Sequence, residues 1–261
     1  MAVVELEIIG EVGTIRLNRP DSLNAIDEAV ADALRDAMYA LWQEDAVRVV
    51  VVTGNGKAFC AGGDLRRMHE LGDGEGMGDV FYTVAGRFHE SIAAMRQMSK
   101  PVIAAINGPA AGGGFSLALA CDYRVMADDA FMKLAYTSHG LSIDGGGTFS
   151  LPRLVGLARA SAIMLLDERI PAPQALEFGL VHELVPAAEL VNRVAALAER
   201  FADMPVEVIG RTKRLFNQSF QTSLDEQLEA ERNELAAAGD HPEGQEGVES
   251  FLGKRHPNYR R

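Results

Sequence analysis

Three glycines in a row, Gly112-Gly113-Gly114, follow the apolar run 102–106 and open onto the apolar stretch 115–120. Without Cβ atoms they let backbone amides come close to a ligand. A helix starting there turns unpaired N–H groups and the positive end of its dipole toward whatever lies in front of it. That could be a phosphate or a developing oxyanion. Tight packing of small residues would use the same sequence, and the residues alone leave the two readings level. No Gly-Lys-Ser/Thr follows, so the segment is not a P-loop. A second pair, Gly62-Gly63, leads through Asp64-Leu65 into a short helix. Asp144 stands in the glycine-rich loop 140–147. There it could serve as an acid/base or cap a helix starting near Thr148.

Other reactive side chains fit quieter roles. Ser116 has no histidine at a fixed spacing and no Gly-x-Ser-x-Gly elbow, so it reads as a small packing residue. His89 follows Phe88 on an amphipathic stretch, where a partly buried structural histidine is the commoner explanation. Cys60 and Cys121 read as small buried hydrophobes, and the reducing cytoplasm is the expected compartment. The six histidines show no metal-ligand spacing, so no metal site is expected.

The elements that position these residues follow from periodicity. Residues 3–9 and 12–17 read as a hairpin. From Asp27, an N-cap residue, apolar positions recur at helical spacing to about Glu44. The β-branched run 47–53 reads as a strand covered on both faces, and 102–106 as a buried strand. The segment 72–78 is glycine-rich and reads as a mobile loop, with a helix over 81–98. Residues 123–126 and 130–134 read as strands. Helices are expected over 149–154, 158–166, 173–178, 187–201, 206–219 and 223–238. Alternation early and helices late imply an α/β core with a helical tail.

With 261 residues, 48% of them hydrophobic, the chain suffices for one large domain or a core with an appendage. A net charge of −12 argues against nucleic acid or an anionic membrane as the main partner. No signal peptide is expected at the N-terminus. No apolar run is expected to reach the roughly 20 residues that span a bilayer.

Ala61-Gly62-Gly63-Asp64-Leu65 paired with Asn107-Gly108-Pro109-Ala110-Ala111-Gly112-Gly113-Gly114 resembles the enoyl-CoA hydratase/isomerase (crotonase) superfamily. Leu17-Asn18-Arg19-Pro20, Leu23-Asn24-Ala25, Leu151-Pro152-Arg153, residues 175–185 and Phe251-Leu252-Gly253-Lys254-Arg255 are similar as well, so the resemblance covers the whole chain. It implies a spiral of ββα units over 1–195, carrying the CoA and acyl site, and a helical region over 196–261 that forms trimers or dimers of trimers. It implies an acyl-CoA thioester substrate and no separate cofactor, since coenzyme A belongs to the substrate. The amides of Gly63 and Gly113 would hold the thioester oxygen, each worth about 3 kcal/mol as enolate charge develops. Backbone at Ser22, Leu23, Ala25 and from Ala61 through Asp64 to Leu65 would contact CoA, and Lys254 would reach the CoA of a neighbouring subunit.

The family's hydratases carry two glutamates. Those positions hold Ser116, three residues after Gly113, and Tyr136; with His89 they are placed in the substrate pocket, which Tyr136 is expected to shape. Asp144 is the carboxylate left in the region, eight residues beyond Tyr136. The stretch 135–146 is most similar to the branch of 1,2-epoxyphenylacetyl-CoA and Δ3,Δ2-enoyl-CoA isomerases, which implies Asp144 as the acid/base. An aspartate in water, with a pKa of about 3.9, is too weak a base, and burial against Leu141, Ile143 and an acyl chain would raise it. In the 4-chlorobenzoyl-CoA dehalogenases of the superfamily, a histidine at the position of His89 works with a nucleophilic aspartate at that of Asp144. An aryl-CoA dehalogenase or thioesterase, an enoyl-CoA hydratase, or a CoA-ester binder without turnover therefore stand as alternatives.

Overall fold

Alternating side chains build the first two strands. β1 (Val4–Ile9) and β2 (Val12–Leu17) pair antiparallel from Val4 opposite Leu17 to Ile9 opposite Val12. Gly13, Ile15 and Leu17 turn inward and are buried. The coordinates are a computed structural model that describes residues 2–72 and 76–260. α1 (Glu28–Gln43) starts where the Asp27 carboxylate accepts the Val30 N–H at 2.9 Å, and it buries Val30, Leu34, Met38 and Leu41. β3 (Val49–Gly54) is buried along its whole length, as its valine run requires.

α2 (Leu65–Leu71) and α3 (Met77–Gln97) follow. The helix expected from residue 81 begins at Met77, behind Gly76 as N-cap at φ +87° and with Asp79 favouring the first turn. Of the expected loop 72–78, residues 73–75 lie outside the described residues, and Met77 and Gly78 are helical. β4 (Val102–Ile106), β5 (Ala110–Ala111) and α4 (Gly113–Ala120) form the next unit, and all of α4 is buried. β6 (Tyr123–Ala127) and β7 (Phe131–Lys133) lead into α5 (Gly147–Leu166). Its two expected halves are joined at Gly156, whose φ of +76° and ψ of 159° interrupt the helical backbone.

α5 corrects one expectation: it is 20 residues long and an 18-residue stretch of it has a mean hydropathy of 1.4, enough by length and composition alone to cross a membrane. The break at Gly156 and the internal Pro152 divide that length. Beyond it come β8 (Ile170–Pro171), α6 (Ala172–Glu177) and β9 (Glu183–Val185), then α7 (Leu190–Ala202), α8 (Val206–Gln218), α9 (Leu224–Asp240) and α10 (Pro242–Leu252). α10 lies within the helical region that the resemblance implies over 196–261, though periodicity alone gave no helix there. Its N-cap, His241 with Pro242 behind it, is not among the strong capping residues. The boundary expected at 195–196 falls inside α7.

The strands form two sheets. One has the order β1-β2-β3-β4-β6-β9 and is parallel from β2 onward; the other has the order β5-β7-β8. Strand–strand–helix recurs as β1-β2-α1, β4-β5-α4 and β6-β7-α5, the spiral of ββα units expected. In the unit of β3, an isolated bridge from Cys60 to Ala110 takes the place of the second strand. The C-terminal helices are bolted on through buried charge. On α8, the Lys213 ammonium donates to the carbonyls of Met95 (3.0 Å) and Lys100 (3.1 Å) and to Asp122 (2.6 Å). Each partner compensates part of the cost of burying that cation.

Candidate active site

The two glycine clusters meet because backbone must touch backbone. The Ala111 N–H donates to the Cys60 carbonyl (2.9 Å). Ile26 donates to Gly62 (2.7 Å), and Asp64 donates back to Ile26 (2.8 Å), so segment 60–64 is clamped on both sides. Gly62 takes φ +98°, and a Cβ there would lie 2.9 Å from the Ala111 carbonyl oxygen and 3.1 Å from the Gly113 nitrogen. Only a glycine permits that approach. Among the described residues, the N–H groups of Gly63 and Gly113 donate to no protein acceptor. Both glycines line one cavity of about 360 Å³, and Gly113 opens α4 as expected.

The same cavity carries the acid. Asp144 lines the same cavity, with Tyr136, His139, Leu141 and Ser142. It does not cap α5: the N-cap is Gly146, with no side-chain bond. The Tyr136 hydroxyl donates to Asp144 Oδ1. Burial, then the charge of Asp144 and the bond to it, push the Tyr136 phenol far above its ordinary pKa. Tyr136 therefore remains a donor, a role added to the expected shaping of the pocket.

His89 and Ser116 hold Asp144 from behind and are not among the residues lining the cavity. His89 is half-exposed. Its Nε2 accepts the Gly145 N–H at 3.1 Å and lies 3.7 Å from Asp144 Oδ2. An Nε2 that accepts there carries no proton. Ser116 is fully buried and donates to the Asp144 backbone carbonyl at 2.8 Å. It is a strut rather than a pocket residue, because the fourth residue of the buried helix α4 faces the 144–147 turn. A Cβ on Gly147 would meet its hydroxyl at 2.7 Å.

Asp167, missed in the sequence, fixes the segment that carries Tyr136. Its carboxylate accepts the N–H groups of Ala135 (2.6 Å) and Ser138 (2.7 Å). Burial by itself raises the Asp167 pKa, but the Ser138 and Ala135 bonds and Lys133 outweigh it and hold the carboxyl below its ordinary value. That stability is present above the unfolded pKa and is lost as the pH falls through the lower folded one. Asp167→Ala leaves two N–H groups unpaired. It should destabilise the fold by about 1–3 kcal/mol in chemical denaturation at neutral pH, with a smaller difference near pH 3.

Of the other expected residues, Ala61 and Leu65 line the cavity. Asp64 caps α2, accepting the Arg67 N–H at 3.1 Å, and pairs with Arg19 at 2.9 Å. Ser22 and Leu23 are exposed, Ala25 is buried, and Lys254 is exposed at φ +51°. Phe81, Val84 and Phe88 on α3 form an apolar wall of the cavity, while Ile26, Met68 and His139, which also line it, went unread in the sequence. Cys60 and Cys121 are buried as expected, and burial pushes both thiols up to about 12. Among the described residues, no three His, Cys, Asp or Glu side chains cluster as metal ligands.

Two free amides and a carboxylate that line one apolar cavity can stabilise an oxyanion beside an acid/base. The sequence matches the enoyl-CoA hydratase/isomerase family over residues 7–261, and the chain belongs to that family. It is 35% identical to a 1,2-epoxyphenylacetyl-CoA isomerase of Escherichia coli over 95% of this chain and 94% of that one. It is 33% identical to a 4-chlorobenzoyl coenzyme A dehalogenase of Arthrobacter over 96% and 91%. The structure of an enoyl-CoA hydratase from Polaromonas superposes with a TM-score of 0.92 at 35% identity, covering 98% of this chain and 99% of that one. The chain is thus an acyl-CoA enzyme with the crotonase fold.

Proposed function

We propose that the protein shifts a double bond of an enoyl-CoA, or isomerises a ring-epoxide acyl-CoA, with Asp144 as the acid/base. The carrying observation is that Asp144 is the one carboxylate among the described residues lining the cavity that Gly63 and Gly113 share. The thioester oxygen sits on the two amides. Asp144 removes a proton from the carbon beside the carbonyl, and the dienolate charge gathers on that oxygen. The same carboxyl returns the proton two carbons along, so no second acid is needed. Tyr136 steers the carboxylate. Backbone at Ser22, Leu23, Ala25 and 61–65 holds coenzyme A, with no other cofactor.

The test is conversion of a 3-enoyl-CoA to the conjugated isomer, followed by absorbance. Crotonyl-CoA hydration should be slow, at least about 100-fold below isomerisation, because the paired acid–base groups that addition of water uses are Ser116 and Tyr136 here. Brisk hydration would refute the role given to the missing glutamates.

A second reading has its own observation: His89 Nε2 stands 3.7 Å from Asp144 Oδ2. With the likeness to a dehalogenase, this supports Asp144 as a nucleophile on an aryl-CoA or in a thioesterase. Halide or free CoA released through a trapped acyl-enzyme would favour it. Tight CoA-ester binding without turnover would mark a binder.

For assembly we propose a cytoplasmic homotrimer or dimer of trimers, with Lys254 reaching the CoA of a neighbouring subunit. Exposed Leu157, Leu165 and Leu166 on α5 and Phe216 on α8 support burial against copies. Light scattering of the purified protein should give three or six chain masses.

A further inference from the structure

Arg19 makes more bonds than a surface arginine needs. One guanidinium nitrogen, Nη1, donates to the Ala25 carbonyl at 2.9 Å and lies 3.0 Å from Asp27 Oδ2. Nη2 lies 2.9 Å from Asp64 Oδ2. Both carboxylates are helix caps, Asp27 for α1 and Asp64 for α2. The Arg19 backbone N–H meets the Asn24 side chain at 2.9 Å, and the buried Asn24 amide donates to the carbonyls of Asn55 and Ala58. This network holds Leu23 and Asn24 at φ +51° and +57°, a left-handed turn that either residue adopts at a cost.

The consequence falls on Gly63. Its neighbours Gly62 and Asp64 are both hydrogen-bonded to Ile26, so the free amide between them takes its place from segment 25–27. That segment is held by Arg19 at Ala25 and Asp27, while the same guanidinium holds Asp64 on the other side. We propose that Arg19 is a positioning residue for the Gly63 amide, a clip that sets one of the two donors to the thioester oxygen. The proposal rests on the assignment of Gly63 as a donor, and not on Asp144 being the base. Removing the clip leaves Asp27 and Asp64 facing each other as like charges, which pushes apart the two segments that frame Gly63. A lysine supplies the charge without the planar fork and restores part of the geometry.

A conjugated dienoyl-CoA reads the amides without turnover, since hydrogen bonds to its carbonyl move its absorbance to longer wavelength. Wild type and Asp144→Asn should both show the red shift on binding it. In Arg19→Met the shift should fall to less than half, with an intermediate value in Arg19→Lys. In Arg19→Met, kcat for isomerisation should drop by about 10- to 100-fold with KM within about threefold, a loss confined to the transition state. A wild-type shift and kcat in Arg19→Met, with only the melting temperature or KM altered, would overturn the proposal. Should Arg19→Met not fold, Arg19→Lys and Arg19→Gln carry the test, and a wild-type shift and kcat in both refute it. Full activity in Asp144→Asn with the shift lost in Arg19→Met would sink the proton shuttle and leave the clip standing.

Discussion

Asp144→Asn should lower isomerisation of a 3-enoyl-CoA by about 10²- to 10⁴-fold, the range that a positioned acid/base contributes. Asparagine keeps the shape of the carboxylate, and its oxygen still accepts the Tyr136 hydroxyl. The Ser116 bond goes to the main-chain carbonyl and the Gly145–His89 bond is also unaffected, so the loop stays in place. The loss should therefore appear in kcat, with the melting temperature and the binding of an inert CoA ester close to wild type. Residual activity above a tenth of wild type would remove Asp144 from the proton path. The same substitution would also silence a nucleophile, so the wild-type protein needs one further measurement. Incubation with substrate followed by intact mass should show no added acyl group if Asp144 only carries protons, and a covalent adduct if it attacks.

The sequence carried the frame of this site because its signals are local. The valine run 49–52 can only be a strand buried on both faces, and Asp27 ahead of helical periodicity can only begin a helix. The glycines announced backbone contact, and the contact is there, between Gly62 and the 111–113 turn. What escaped notice depends on distance along the chain. Asp167 reaches Ala135 across 32 residues, and Arg19 reaches Asp64 across 45. No spacing rule ties such pairs together. His89 follows Phe88 on an amphipathic helix and reads as partly buried; adjacent helical positions point about 100° apart, so Phe88 turns into the core while His89 stays half-exposed. Tyr136 was legible as a wall residue but not as a donor, since that role depends on where Asp144 ends up.

Gly113 and Gly114 are neighbours in sequence, and substituting each by alanine should give opposite outcomes. A Cβ on Gly114 would lie 2.1 Å from the Cys60 carbonyl oxygen and 2.7 Å from the Cys60 Cβ. That carbonyl accepts the Ala111 N–H, and Cys60 is fully buried, so the obstacle is a fixed main chain. Nothing flexible can yield, and α4 around it is buried on every side. Gly114→Ala should cost at least about 3 kcal/mol, the upper range of overpacking, or about 10 °C in melting temperature for a chain of this size. On Gly113 the nearest atom to an added Cβ is the tip of Ile26 at 3.3 Å, followed by the Phe88 ring edge at 3.7 Å, both walls of the cavity. A methyl group fits there with a slight shift of Ile26, and alanine favours the helix by about 1 kcal/mol over glycine. Gly113→Ala should therefore melt within a few degrees of wild type. It should nevertheless lose about 10²-fold in kcat/KM, because the methyl stands where the thioester must approach the amide and misplaces it by about 1 Å. If the two variants behave alike, by folding with full activity or by failing to fold, then close approach of substrate to the Gly113 amide is not what that glycine is for.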